Sequence, residues 1–149
     1  MDDEKQEFLT TTSLLDLAYK NVRMGSFAID CIIDKIEDRR LEELLRKQND
    51  FYLDTTEELE RISSEIGHEP EDINAFLKGS SFASINMKTL MNKETPHLAE
   101  MLVQGTTMGI TEILKAKSEY PTKNSALNDI IDSITESEEL FVDSLKEFL

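Results

Sequence analysis

The sequence predicts an all-α four-helix bundle forming a single domain, and three observations lead there. Five glycines and three prolines among 149 residues are less than half the usual share of these breakers, roughly 12%. Apolar residues recur at steps of three and four along four long segments, the period of a helix with one buried face. Hydrophobic residues make up 39% of the chain, enough to build a core, which excludes wholesale disorder. A length of 149 residues suits one domain and would make two cramped.

The first helix is expected over about 13–36, with residues 1–12 a flexible N-terminus. Ser13 followed by Asp16 resembles a capping box with Asp in place of Glu. Its stripe is Leu14, Ala18, Val22, Gly25, Ile29, Ile32 and Ile36, widened by Leu15, Leu17, Ala28 and Ile33. Asn21 and Lys35 are the polar residues within that face. A second helix is expected over about 39–66, with the stripe Leu41, Leu44, Gln48, Phe51, Thr55, Leu59, Ile62 and Ile66. No glycine or proline separates the two, but continuing the first stripe beyond Ile36 would bury Arg40, Glu43 and Lys47. The phase change therefore places a tight turn at Glu37–Arg40 between antiparallel neighbours.

Gly67 closes the second helix as a C-terminal glycine should, and residues 67–95 form the longest connection. Ile73, Phe76, Leu77, Phe82, Ile85, Leu90 and Met91 make it too apolar for a bare linker, so one or two short helices are expected around Gly79-Ser80-Ser81. Thr95-Pro96 reads as an N-cap followed by proline at the first helical position. The third helix, about 96–118, carries Leu98, Met101, Leu102, Gly105, Met108, Gly109 and Ala116 on one face. Val103, Thr107, Ile110 and Leu114 lie on the other. One bundle core buries one of these faces, so the crossover or another subunit must cover the second. The fourth helix, about 125–148, has Leu127, Ile130, Ile131, Ile134, Phe141, Val142, Leu145 and Phe148 on one face, and Asp129, Asp132, Glu136, Glu139, Asp143 and Glu147 on the other. Helix pair, long crossover, helix pair is the layout of a ferritin-like bundle, in which the second and third helices run parallel.

Charge and cysteine content narrow the function. Sixteen Lys and Arg against thirty-one Asp and Glu give a net charge of −15. Such a chain is unsuited to nucleic acid, which is bound through clustered basic residues, and to anionic membrane surfaces. A single cysteine, Cys31, leaves no disulfide framework and no Cys-rich zinc site, and reads as a small core residue without a base partner. The acidic start, Met-Asp-Asp-Glu-Lys-Gln-Glu, is the reverse of a signal peptide. No run approaches the roughly 18 apolar residues of a membrane span. A cytoplasmic protein is expected.

A ferritin-like di-iron site takes a Glu from each of two helices and Glu-x-x-His from each of the others. The chain has no Glu-x-x-His. The expected core positions instead form a polar layer of Asn21, Gln48, Thr55, Glu112 and Glu138, with Glu58 at its edge. Phe141 occupies the His slot of a would-be Glu-x-x-His beginning at Glu138. The layer is read as hydrogen-bonded structure. The alternative is a carboxylate-based metal site, Glu58, Glu112 and Glu138 holding Fe or Mn, although carboxylates without imidazole make a weak, oxygen-only set. His97 and Glu100 stand one turn apart at a helix start, where a carboxylate favours the dipole anyway, and read as surface residues; His68 reads as a solvated loop residue. No phosphate-binding glycine loop occurs, and Gly105 and Gly109 read as small residues permitting close helix approach. Phe27, opposite the first stripe, is expected under the crossover or at a dimer interface. No nucleophile–base pair can be named.

Four segments carry a resemblance: Tyr19-Lys-Asn-Val-Arg-Met-Gly-Ser-Phe-Ala-Ile-Asp30, His97-Leu-Ala-Glu-Met-Leu-Val-Gln-Gly-Thr-Thr-Met-Gly-Ile110, Glu119-Tyr-Pro121 and Leu145-Lys-Glu-Phe-Leu149. From about residue 14 onward the chain resembles a group of small bacterial proteins, met chiefly in clostridia and their relatives, with a ferritin-like four-helix architecture. The resemblance implies that fold and no particular activity, so it assigns no catalytic residue. The combined expectation is a cytoplasmic binding or assembly protein without a functional di-iron centre, and an enzymatic role is left open. No nucleic-acid or membrane partner is expected, and a homodimer is left open. The alternative is a metal-binding protein using Glu112 and Glu138.

Overall fold

A computed structural model of the chain describes residues 2–71 and 92–149. The described residues are helical, with no strand among them. Four long helices run Asp3–Ile32 (α1), Arg39–Glu65 (α2), Thr95–Glu119 (α3) and Ser125–Leu145 (α4), with short 3-10 turns at Ile33–Lys35 and Lys146–Phe148. The short helices expected around Gly79-Ser80-Ser81, and with them the covering role of the crossover, lie outside the described residues.

Three of the four helices start where a side chain supplies an acceptor for the unpaired N–H groups: Asp2 caps α1, accepting from Glu4 N–H at 3.4 Å. Asp38 caps α2, accepting from the N–H groups of Arg40 and Leu41 at 2.9 and 3.1 Å, and Asn124 caps α4, accepting from Leu127 N–H at 3.0 Å. α2 ends on Gly67, whose φ of 73° is the left-handed conformation glycine tolerates. There His68 N–H bonds Ser63 C=O and Gly67 N–H bonds Ser64 C=O, which closes the last turn. Pro96 lies in the first turn of α3, and Thr95, expected as its cap, is already helical with Glu94 at the cap position.

The start of α1 corrects the sequence reading. Its N-cap is Asp2, not Ser13, and the stretch expected as a flexible N-terminus is helical from Asp3. The cause is a contact up to about 9 Å along the helix before its expected start, at roughly 1.5 Å per residue, that the local pattern does not contain. Glu7 Oε1 accepts from Lys123 N–H at 2.6 Å and from the Thr122 hydroxyl at 3.1 Å. Thr11 shares a 2.6 Å hydroxyl–hydroxyl bond with Thr122, and Thr11 and Thr12 are buried. The extra turns are thus pinned to the α3–α4 loop.

The hydrogen bonds fix the helix directions. Asp30 pairs with Asn49 and Tyr19 with Glu60, so α1 and α2 are antiparallel. Arg40 meets Glu147 and Gln48 meets Ser137, so α2 and α4 are antiparallel. Lys117 pairs with Asp132 across α3 and α4. α1 packs on α2 and α3, and α4 packs on α3 and α2. Every neighbouring pair is therefore antiparallel, and α2 and α3 run parallel across the diagonal. Leu14, Ala18, Val22, Ile29, Leu41, Leu59, Leu98, Ile113, Leu127, Ile131 and Ile134 fill the space between.

Two faces are rotated from expectation. On α2, Leu45 and Tyr52 are buried, and Leu44 and Phe51 are only half-buried. On α3 the core line runs Leu98, Leu102, Thr106, Ile113 and Ala116, so Gly105, Met108 and Glu112 are exposed. On its other side Thr107 and Leu114 are exposed, and Val103 and Ile110 half-buried. Each helix faces two neighbours at once, so its buried arc is centred between them and not on the strictest apolar stripe. Leu17, expected to widen the first stripe, is exposed for the same reason.

Candidate functional site

The four helices meet in a polar centre around one carboxyl group. Glu138 follows Ile131 and Ile134 and precedes Phe141 and Leu145 on the inward face of α4, and it is 2% exposed. The Tyr52 hydroxyl of α2 donates to Glu138 Oε2 at 2.9 Å. The tyrosine ring reaches that position because α1 has a glycine opposite: a Cβ at Gly25 would lie 2.5 Å from Tyr52 Cε2. From α1, Asn21 Nδ2 donates to the backbone carbonyl of Gly109 on α3 at 3.1 Å. Gly109 is small for a reason as well, since a Cβ there would lie 3.1 Å from Asn21 Nδ2 and 3.5 and 3.8 Å from the Glu138 oxygens. One turn from Tyr52, buried Gln48 exchanges hydrogen bonds with Ser137, 3.3 Å from Gln48 Nε2 to the hydroxyl and 3.4 Å from the hydroxyl to Gln48 Oε1.

Two buried oxygens in this centre, Glu138 Oε1 and Asn21 Oδ1, have no hydrogen-bond partner. Exchanging the amide atoms of Asn21 gives no remedy, because its oxygen would then face the Gly109 carbonyl. Burial pushes the Glu138 carboxyl up to about 7, and the hydrogen bonds from Tyr52 and Asn21 pull it only part of the way back. The Tyr52 phenol is pushed well up, by burial and by the Glu138 charge, so it stays a neutral donor. The centre therefore offers a carboxyl able to take up or release a proton near neutrality, shielded from solvent.

The other expected site residues do not converge there. Gln48 and Thr55 are buried on α2, Asn21 is half-buried, and Glu112 and Glu58 are exposed. Glu112 is one residue from the buried Ile113, and one residue is a rotation of about 100° on a helix. Di-iron chemistry needs carboxylates and imidazoles from all four helices; the positions facing Glu138 are Asn21, Tyr52 and Gly109, so these residues do not fit such a centre. Among the described residues no group of three or more His, Cys, Asp or Glu is placed to share a metal ion. His97 is half-buried near the start of α3, twelve residues from Gly109 and so about 18 Å along the helix. His68 is pinned and not a free loop residue: its Nε2 lies 2.9 Å from Asp16 Oδ1, and Ser63 donates to its carbonyl. Asp16, read as part of a capping box, instead also accepts from Glu71 N–H at 3.3 Å. Cys31 is half-buried, and burial pushes its thiol up, away from the reactive thiolate.

Tyr52, Gly25 and Gly109 are the members of the centre that the expected polar layer did not include. A signal for them exists: a glycine within the most apolar stripe of a long helix marks a place where something large sits against the backbone. No family model, no curated protein and no solved structure matches the chain.

Proposed function

We propose that this chain is a ferritin-like bundle of the clostridial type, acting in the cytoplasm as a binding or assembly protein without a di-iron centre. One observation carries the reading: the single carboxyl at the bundle centre faces an asparagine, a tyrosine and a glycine backbone, a set that holds a proton better than it holds iron. The parallel course of α2 and α3 supports the ferritin-like assignment. Two of the resembling segments supply the centre itself, 19–30 with Asn21 and Gly25, and 97–110 with Gly109. The binding role is supported by two exposed apolar side chains, Met108 of α3 and Leu140 of α4, 65% and 60% exposed. A free cysteine accords with a reducing compartment.

Native mass measurement with elemental analysis, on protein purified without chelator, tests the reading. A metal-free chain, as a homodimer or holding an organic ligand, is the expected result. Stoichiometric iron or manganese, together with a metal-dependent rise in melting temperature that Glu138→Gln abolishes, would replace it with the metal-binding alternative.

A further inference from the structure

We propose that Glu138 is a proton-operated fastener: it is a neutral carboxylic acid while the four helices are closed around it, and its ionisation opens the bundle at that level. This goes beyond the binding role and does not rest on it.

The geometry leaves the centre one hydrogen short. Tyr52 donates to Glu138 Oε2 and the Asn21 amide also favours the charged form, but Glu138 Oε1 has no hydrogen-bond partner. On the facing helix Asn21 Oδ1 is a second buried acceptor without a donor. A proton on Oε1 removes the need for a donor there and supplies an O–H in a cluster that has only unmet acceptors. No neighbouring element offers a charge instead. α1 presents Asn21 and Gly25, α2 presents Gln48 and Tyr52, and α3 presents Gly109. Tyr52 is the one titratable group among these, and it is a neutral phenol. On α4 itself Ser137 is uncharged and Glu139 points to solvent. Among the described residues no cation acts on the carboxyl, whose controlling influence is burial.

The step is a simple dissociation, Glu138 carboxylic acid to carboxylate with the proton passing to water. The carboxylate is buried with one oxygen unsolvated, so it favours any state in which α4 lifts and water enters. All four helices touch this group, so the opening is felt by the whole bundle and not by one surface turn.

Amide hydrogen exchange on the full chain tests the proposal, with rates corrected for intrinsic base catalysis. Wild type should lose protection across α4 by on the order of tenfold or more between about pH 5.5 and about pH 8, because an opened Glu138 releases its proton far more readily than a closed one. Glu138→Gln, which cannot ionise, should hold its protection over the same range. Parallel profiles in the two proteins would overturn the proposal. Infrared spectroscopy of the wild type gives a reading that does not depend on the variant folding. A neutral-carboxyl band should persist at about pH 6 and vanish by about pH 8, at a midpoint moved upward in Tyr52→Phe, which loses the donor to the charged form. A wild type without that band at about pH 6 would equally sink the idea.

Discussion

Adding one methyl group at Gly25 should destabilise the bundle, although alanine is the better helix former. A Cβ there would lie 2.5 Å from Cε2, 2.6 Å from Cζ and 3.0 Å from the hydroxyl of Tyr52. Carbon atoms settle at about 3.5–4.0 Å, so the ring must retreat by roughly 1 Å. Tyr52 is 2% exposed and its hydroxyl is held 2.9 Å from Glu138 Oε2, so retreat strains both packing and the hydrogen bond. Overpacking costs about 1–3 kcal/mol, and a weakened buried hydrogen bond adds about 1 kcal/mol. The helix propensity of alanine offsets about 1 kcal/mol. The net expectation is a loss of about 2 kcal/mol, or a melting temperature lower by about 4–8 °C for a chain of this size. Urea denaturation followed by circular dichroism measures it. Tyr52→Leu in the same background should restore part of the loss, giving less-than-additive behaviour in a double-mutant cycle. A Gly25→Ala protein as stable as wild type would refute the close approach of α1 and Tyr52.

The other expectations use the same melting assays. Gly105→Ala should stabilise by about 0.5–1 kcal/mol, since nothing lies within 4 Å of a Cβ there; destabilisation would mean that α3 is rotated from the described position. Glu138 has its folded value raised above the ordinary 4.5 to about 7, so the closed form binds the proton more tightly than the open chain. Its contribution is present below about pH 4.5, is lost as pH rises to about 7, and stays lost above, a swing of about 3 kcal/mol. Glu138→Gln should therefore be the more stable protein at about pH 8, whereas Glu138→Ala, which orphans the Tyr52 hydroxyl, should cost about 1–3 kcal/mol relative to Gln. Glu7 has the opposite sign: its carboxyl is held down chiefly by the Lys123 N–H. The stability it gives is present above the ordinary value of 4.5 and should disappear on acidification below it, so wild type and Glu7→Ala should converge in acid.

The pattern of threes and fours was sufficient for the four helices, because it records which side of each segment avoids water. It was insufficient for two kinds of fact. The start of α1 depends on Glu7 and Thr11 meeting Thr122 and Lys123, a contact between polar side chains far apart in sequence that leaves no periodic trace. On α2 and α3 the centre of the buried arc was missed by one residue. Tyr52 was passed over for Phe51 and Glu112 was placed where Ile113 sits, because apolarity alone ranks Phe51 above a tyrosine and cannot say where two neighbouring helices stand. Glu138 was legible for the opposite reason. Apolar residues three and four positions away on both sides leave a helical side chain no other direction to point.

The four residues around that carboxyl, Asn21, Gly25, Tyr52 and Gly109, have a common logic. Two of the four helices lack a side chain at the centre, at Gly25 and Gly109, and the space is taken up by Tyr52 and by the Asn21–Glu138 pair. Filling it with a leucine-like packing would have been the simpler route to stability, since buried polar groups seldom match well-packed apolar ones in net contribution. Here the polar group is held short of full satisfaction, with one oxygen of Glu138 and one of Asn21 left without donors. A structural hydrogen-bond layer would close those bonds. Gln48 and Ser137, one turn away, do so in both directions, which makes the contrast within one bundle direct. The energy of the cluster around Glu138 therefore changes with protonation, whereas that of the closed Gln48–Ser137 pair does not.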